Sequence, residues 1–224
     1  MHNDRYEIRL AFRLACRLTW LKLFSIASLT LALMTMANAT NSTNTTNASN
    51  ATDMAPVVLE DFSGVPGERW EFIADTVMGG VSSGSVQFLS QDGQGFLRLA
   101  GTVSTANNGG FIQARLPLSN TKIDPLPDTA QGIWLKARGN GQRYFVHVRT
   151  SGTILPWQYY QASFEATAQW QDIKLAWGDF KPSGGLSGSL LRDVPLADKV
   201  KSIAIVAFGR DHQADVEVAQ IGYY

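Results

Sequence analysis

The stretch Gly139-Asn140-Gly141-Gln142-Arg143-Tyr144-Phe145-Val146-His147-Val148-Arg149-Thr150 decides the fold. Successive side chains of a strand point to opposite faces, so Tyr144, Val146 and Val148 share one side while Phe145, His147 and Arg149 share the other. A helix would scatter the same residues around its circumference. The Gly139-Asn140-Gly141 triplet, with apolar alternation on both flanks, predicts a hairpin turn.

Working outward, the same period recurs at 57–62, 70–72, 84–89, 96–103, 110–118, 132–137, 157–164, 170–177, 201–208 and 215–223. Gly79-Gly80, Asp92-Gly93, Asn108-Gly109-Gly110 and Ser183-Gly184-Gly185 punctuate these runs with turn signals. No stretch from 56 onward holds a helical period for three turns, and 189–200 is expected to carry one short helical turn. About eleven short strands predict an all-β domain over 56–224, a two-sheet antiparallel β-sandwich. Five of the six tryptophans fall in this body and are expected to fill its core.

The N-terminus reads differently. A basic stretch ends at Lys22, an uncharged apolar run follows to Met36, and Ala37-Asn38-Ala39 supplies a small-residue cleavage site. That order predicts a secretory signal peptide over 1–39, with export to the periplasm or the medium. Two other readings stay open. An uncleaved anchor would have to extend the apolar run past Lys22, since about 20 residues are needed to span a bilayer. A transit peptide would use the four-residue recurrence of Arg5, Arg9, Arg13 and Arg17. Residues 40–55 form an Asn/Thr/Ser-rich linker whose triplets match N-x-[ST], and with no apolar face it has nothing to bury.

Charge excludes one class of partner. Five basic and two acidic residues fall in 1–39, leaving 14 basic against 17 acidic in the remainder. A mildly acidic body without a Lys/Arg cluster has no footprint for nucleic acid. After signal cleavage nothing in it is expected to hold a membrane. Cys16, the only cysteine, precedes the apolar run, so the body has no disulfide, thiolate site or cysteine nucleophile.

The search for chemistry is equally spare. His147 and His212 are the body's only histidines, and no metal, P-loop, dinucleotide or serine-hydrolase motif occurs. The residues therefore point to no catalytic group, no metal and no cofactor. Glu60, Asp61, Asp75, Asp172, Asp179 and Asp211 are read as loop acids, because charged residues mostly occupy surfaces. A sheet-face binding site is the alternative to a merely solvated strand. It would use His147 and Arg149 with the aromatics Trp157 and Tyr159, since aromatic faces stack on sugars or apolar ligands and arginine fixes polar groups.

Three segments then stand together: Asp75-Thr76-Val77-Met78-Gly79-Gly80-Val81-Ser82-Ser83; Asn107-Asn108-Gly109-Gly110-Phe111 leading to Arg115; and Gln161-Ala162-Ser163-Phe164 followed by Trp170 and Phe180. Over roughly 57–223 the chain resembles the complex I intermediate-associated protein 30 (CIA30) family. The resemblance implies a galactose-binding-like, jelly-roll type β-sandwich and a non-enzymatic role as an assembly factor, with a membrane-complex subunit as protein partner. A carbohydrate-binding protein of the envelope, with a glycan partner, is the alternative. In the motifs, Asp75 and Asn108 are expected to bond turn backbone, Arg115 to pair with Asp75, and all three either to maintain the fold or to form a binding rim.

Overall fold

Period-two patterning becomes twelve strands among the residues, 55–64 and 66–224, that the computed structural model describes. The first sheet runs β3 (Ser83–Gln91), β4 (Gln94–Val103), β12 (His212–Tyr223), β6 (Gly132–Gly139) and β9 (Gln171–Ala176). β1 (Val57–Glu60) pairs with the last residues of β12, beyond the reach of β4. The second sheet runs β10 (Lys181–Ser183), β8 (Tyr159–Glu165), β7 (Arg143–Thr150), β11 (Val200–Phe208), β5 (Phe111–Pro117) and β2 (Glu71–Ala74). Every pairing is antiparallel. These residues belong to one unit, Asn50–Tyr224; the expected signal peptide and residues 40–54 of the linker lie outside the described residues.

The core lies between the sheets. Leu97, Leu99, Ile133, Leu135, Val216 and Val218 come from the first; Ile112, Tyr144, Val146, Val148, Ile203 and Ile205 come from the second. Each fully buried Leu, Ile or Val is worth about 1.5–3 kcal/mol relative to exposure. A register shift between Val218 and Gln220 inserts an extra residue in β12, which lets Val218 and Ile221 both face inward although they are three residues apart. The alternation read from residues 144–149 is therefore the layering of the sandwich.

Two expectations are corrected here. The Gly139-Asn140-Gly141 turn makes no hairpin, because β6 and β7 lie in different sheets. Its amides are engaged elsewhere: Gly139 N–H donates to the Thr167 carbonyl, Asn140 N–H to Asp215 and Gly141 N–H to Ala166. The buried Tyr144 hydroxyl fastens the crossover, donating to Asn140 Oδ1 (2.7 Å) and accepting from Asp215 N–H (2.8 Å). The two-residue hairpin is instead Asp92-Gly93, between Gln91 and Gln94, with φ of 52° and 79°.

The tryptophans divide as well. Only Trp70 joins the core cluster as a buried member, and Trp134 is buried outside that cluster, its indole N–H on Asp172 Oδ1 at 3.1 Å. Trp177 packs against the core while half-buried, and Trp157 is exposed. Trp170 covers the Arg138 guanidinium at 4.5 Å, on a salt-bridged outer face where Arg138 also meets Glu217. Among the described residues the single α-helical turn is Gly185–Gly188, and within 189–200 Ala197–Lys199 forms a 3-10 turn. Among the described residues no helix is long and apolar enough to cross a membrane.

Candidate functional site

Two glycine-rich loops meet at one end of the second sheet, and Asp75 joins them. Its carboxylate is wholly buried; it accepts from Ser82 N–H at 2.9 Å, Ser82 Oγ–H at 2.5 Å, Gly110 N–H at 2.6 Å and Phe111 N–H at 3.2 Å. Burial, the largest single influence on its ionisation, opposes the charge. The combined donors from Ser82, Gly110 and Phe111 outweigh it and hold the carboxyl below the usual range. Arg115 is not among the partners. It pairs with Glu71, its cross-strand neighbour, at 2.5 Å, so the expected Asp75–Arg115 pair is corrected.

Each glycine in these loops answers a different demand. Gly79 has φ +89° with open space around it, so it supplies the left-handed turn after the 3-10 segment Asp75–Met78. Gly80 and Gly109 supply room: a Cβ on either would lie 2.3 or 2.4 Å from the Asp75 carboxyl.

Beside this junction a cleft of ≈ 490 Å³ opens on the outer face of the second sheet. Its floor is β11, where Ser202 and Ala204 are small. Ala204 lies between His147 of β7 and Arg115 of β5 in register, and Ser202 lies beside Arg149. Small side chains on a central strand between long ones make a trough. One wall carries Arg149, Tyr159 and Trp157; the other carries Phe111, Gln113 and Arg115, with Asn108 and Met78 above it.

His147 is 7% exposed and stacks on Tyr159 with ring centroids 4.0 Å apart. Burial pushes its imidazole down to about 3, the adjacent Gln161 side chain opposing weakly, so the ring is neutral at physiological pH. Its Nε2 has no hydrogen-bond partner. The solvated strand position first considered for His147 is thus replaced by a buried one, because Tyr159 and Phe208 cover the ring. Arg149 is held by its Nη2, which donates to the carbonyls of Thr153 (2.9 Å) and Leu155 (3.0 Å).

Six residues read from the sequence, Asn108, Arg115, His147, Arg149, Trp157 and Tyr159, line this one cleft. Asp75 does not, and lies buried beneath its rim. Gln113, Phe111, Ser202, Ala204 and Phe208 were missed. Alternation alone places Gln113 and Phe111 on the face of Arg115; the small residues of β11 acquire meaning only beside their neighbours.

The model of the complex I intermediate-associated protein 30 family matches residues 61–218. The chain belongs to that family. The match takes in both glycine-rich loops of this CIA30 domain and all but the ends of the sandwich. No curated protein matches it significantly. In fold the CIA30 domain is similar to the family 11 carbohydrate-binding module from Clostridium thermocellum in complex with a β-1,3-1,4-mixed-linked tetrasaccharide. The identity is 15%, over 75% of this chain and 94% of that one, with a TM-score of 0.58. It is similarly close to the family 11 module of a cellulosomal cellulase of the same organism, at 14% identity, 75% and 94% coverage and a TM-score of 0.59. These likenesses agree with the galactose-binding-like, jelly-roll type sandwich expected from the sequence.

Proposed function

We propose that this CIA30 domain is a non-catalytic binding module that holds an oligosaccharide in the cleft on β5, β11 and β7. The cleft itself carries the reading: an exposed Trp157 (53%) and the Tyr159–His147 stack face Gln113, Arg115 and Asn108 across a floor of small residues. An aromatic platform opposite polar side chains suits a sugar, whose rings present apolar C–H faces and equatorial hydroxyls. The volume falls within the roughly 300–1,000 Å³ usual for small-ligand sites. Among the described residues no Asp or Glu lines the cleft, so these supply none of the paired carboxylates that glycoside hydrolysis uses. The family 11 module solved with a tetrasaccharide has the same fold.

The test is titration calorimetry of the purified chain after a glycan array has chosen an oligosaccharide. Trp157→Ala is expected to weaken binding about 10- to 100-fold, as loss of an aromatic hot spot of roughly 1.5–3 kcal/mol would. An array without a hit, or a Trp157→Ala variant that binds as tightly, overturns the reading.

A second reading, a protein partner such as a membrane-complex subunit, is favoured by one observation. The loop after Asp75 exposes Val77 (72%), Met78 (59%) and Val81 (51%) beside the cleft. In either reading the Ala37-Asn38-Ala39 site supports action outside the cytoplasm. Cell fractionation with a photo-crosslinker at Met78 tests both points. Recovery outside the cytoplasm joined to one defined subunit supports the second reading; cytoplasmic recovery refutes export.

A further inference from the structure

We infer that the oligosaccharide this cleft takes is acidic, a chain containing hexuronate whose carboxylate seats between Arg149 and Arg115 while a neighbouring ring lies against Trp157. This rests on the oligosaccharide reading of the same cleft.

The charge of the cleft differs from that of the body around it. Outside the first 39 residues acidic side chains outnumber basic ones, 17 to 14, yet among the described residues the cleft lining holds two arginines and no carboxylate. A neutral sugar needs no such arrangement, because hydroxyls are served by amides and hydroxyl groups. Across the sheet, register sets one row on this face: Lys181, Gln161, His147, Ala204, Arg115 and Glu71. The only carboxylate in that row is Glu71, on edge strand β2, where it neutralises Arg115 from outside the cleft. His147 is neutral at the centre.

Arg149 is the decisive group. Both its hydrogen bonds go from Nη2 to main-chain carbonyls, so its side chain is fixed without its charge being matched. Burial, then the nearby Arg115, both disfavour its charged form, and no acid opposes them. Nε and Nη1 make no hydrogen bond among the described residues. A guanidinium held by its back in a partly dry site, its other donors unused, is suited to a planar carboxylate.

Calorimetry on the full chain distinguishes the outcomes. The probes are an oligogalacturonate, an oligomannuronate, their methyl esters, a sulfated galactan oligosaccharide and a mixed-linked β-glucan oligosaccharide, matched in length. At least one uronate is expected to bind tenfold or more tightly than its own ester, with the advantage shrinking from about 50 to 500 mM salt as screening grows. Arg149→Gln is expected to reduce the acid-over-ester ratio below about threefold, that ratio being the readout whatever the variant does to binding of the ester. Should that variant misfold by near-UV circular dichroism, Arg115→Gln takes its place, and the salt series needs no variant at all. Equal binding of acid and ester overturns the inference and leaves the oligosaccharide reading standing, and so does a preference for the neutral glucan. Tighter binding of the sulfated chain overturns the carboxylate assignment. Binding of none of the probes overturns the inference together with the reading beneath it.

Discussion

Asp75→Ala is expected to destabilise the sandwich by about 3–5 kcal/mol, the usual loss when one member of a buried charged network is removed. In a domain of this size that corresponds to a fall in Tm of roughly 6–20 °C. The reason is the four donors that converge on one carboxylate from two loops, Ser82 on one side and Gly110 and Phe111 on the other. Removing the acceptor leaves buried amides unsatisfied, at about 1–3 kcal/mol each where water cannot reach. It also unties the loop bearing Met78 from the loop bearing Asn108, so the cleft rim loosens with the fold. Asp75→Asn should recover only part of the loss, since its amide nitrogen faces donors. The carboxyl is held below its usual range in the folded state, so its contribution is fully present above the unfolded value of about 3.9. It is lost as pH falls through the folded value. Urea unfolding across pH 2–7 checks this: both proteins should lose stability at the acid end, because Asp61, Asp211 and Asp215 are also held below their usual range, but the slope should be smaller in Asp75→Asn than in the wild type. A change below about 1 kcal/mol in Asp75→Ala would falsify the keystone role.

Gly109→Ala is expected to cost about 1–3 kcal/mol, the range for forcing extra atoms into packed space. Its φ of −79° is open to any residue, so conformational strain is not the cause. The added Cβ would lie 2.4 Å from Asp75 Oδ2, and that oxygen is pinned by three hydrogen bonds and cannot retreat cheaply. The cause makes a sharper forecast than the size. In the Asp75→Ala background the contacts with the carboxyl are gone and only Gly80 Cα, 3.0 Å from the added Cβ, still crowds it, so the double variant should be only modestly worse than Asp75→Ala alone. A coupling of about 1–3 kcal/mol would then appear in a double-mutant cycle. Additive losses in equilibrium denaturation would show that Gly109 is needed for some other reason. Gly79→Ala is the control: it meets open space at φ +89°, so its cost should be only the roughly 1–2 kcal/mol of a left-handed backbone and should not depend on Asp75.

These residues show what was legible and what was not. The D-x-V-M-G-G-V-S-S and N-N-G-G-F segments were recognisable, and the bonding of Asp75 to turn backbone followed from the chemistry of a short carboxylate. Its partners did not, because Gly110 and Phe111 lie 35 and 36 residues away and no local pattern links them. The pairing expected for Arg115 failed for a related reason. Opposite charges in a sequence offer many combinations, and the β2–β5 register selected Glu71. β10 escaped notice because Lys181-Pro182-Ser183 is too short to show a period and carries a proline, tolerable on the edge strand it proved to be.

The sequence by itself determined the element type nearly throughout. Alternation of apolar and polar side chains is a local consequence of extended backbone, and glycine, asparagine and aspartate mark turns through their own conformational preferences. It also fixed the face on which Arg149, His147 and Phe145 stand. Only the tertiary structure decided which strands share a sheet. The chain leaving Gly139-Asn140-Gly141 crosses to the second sheet because the amides there are bonded to Thr167, Asp215 and Ala166, distant in sequence. The cleft is of the same kind. β5, β7, β8 and β11 bring its walls and floor from Phe111 to Phe208, and hydrogen-bond register and burial, which act between distant segments, set them side by side.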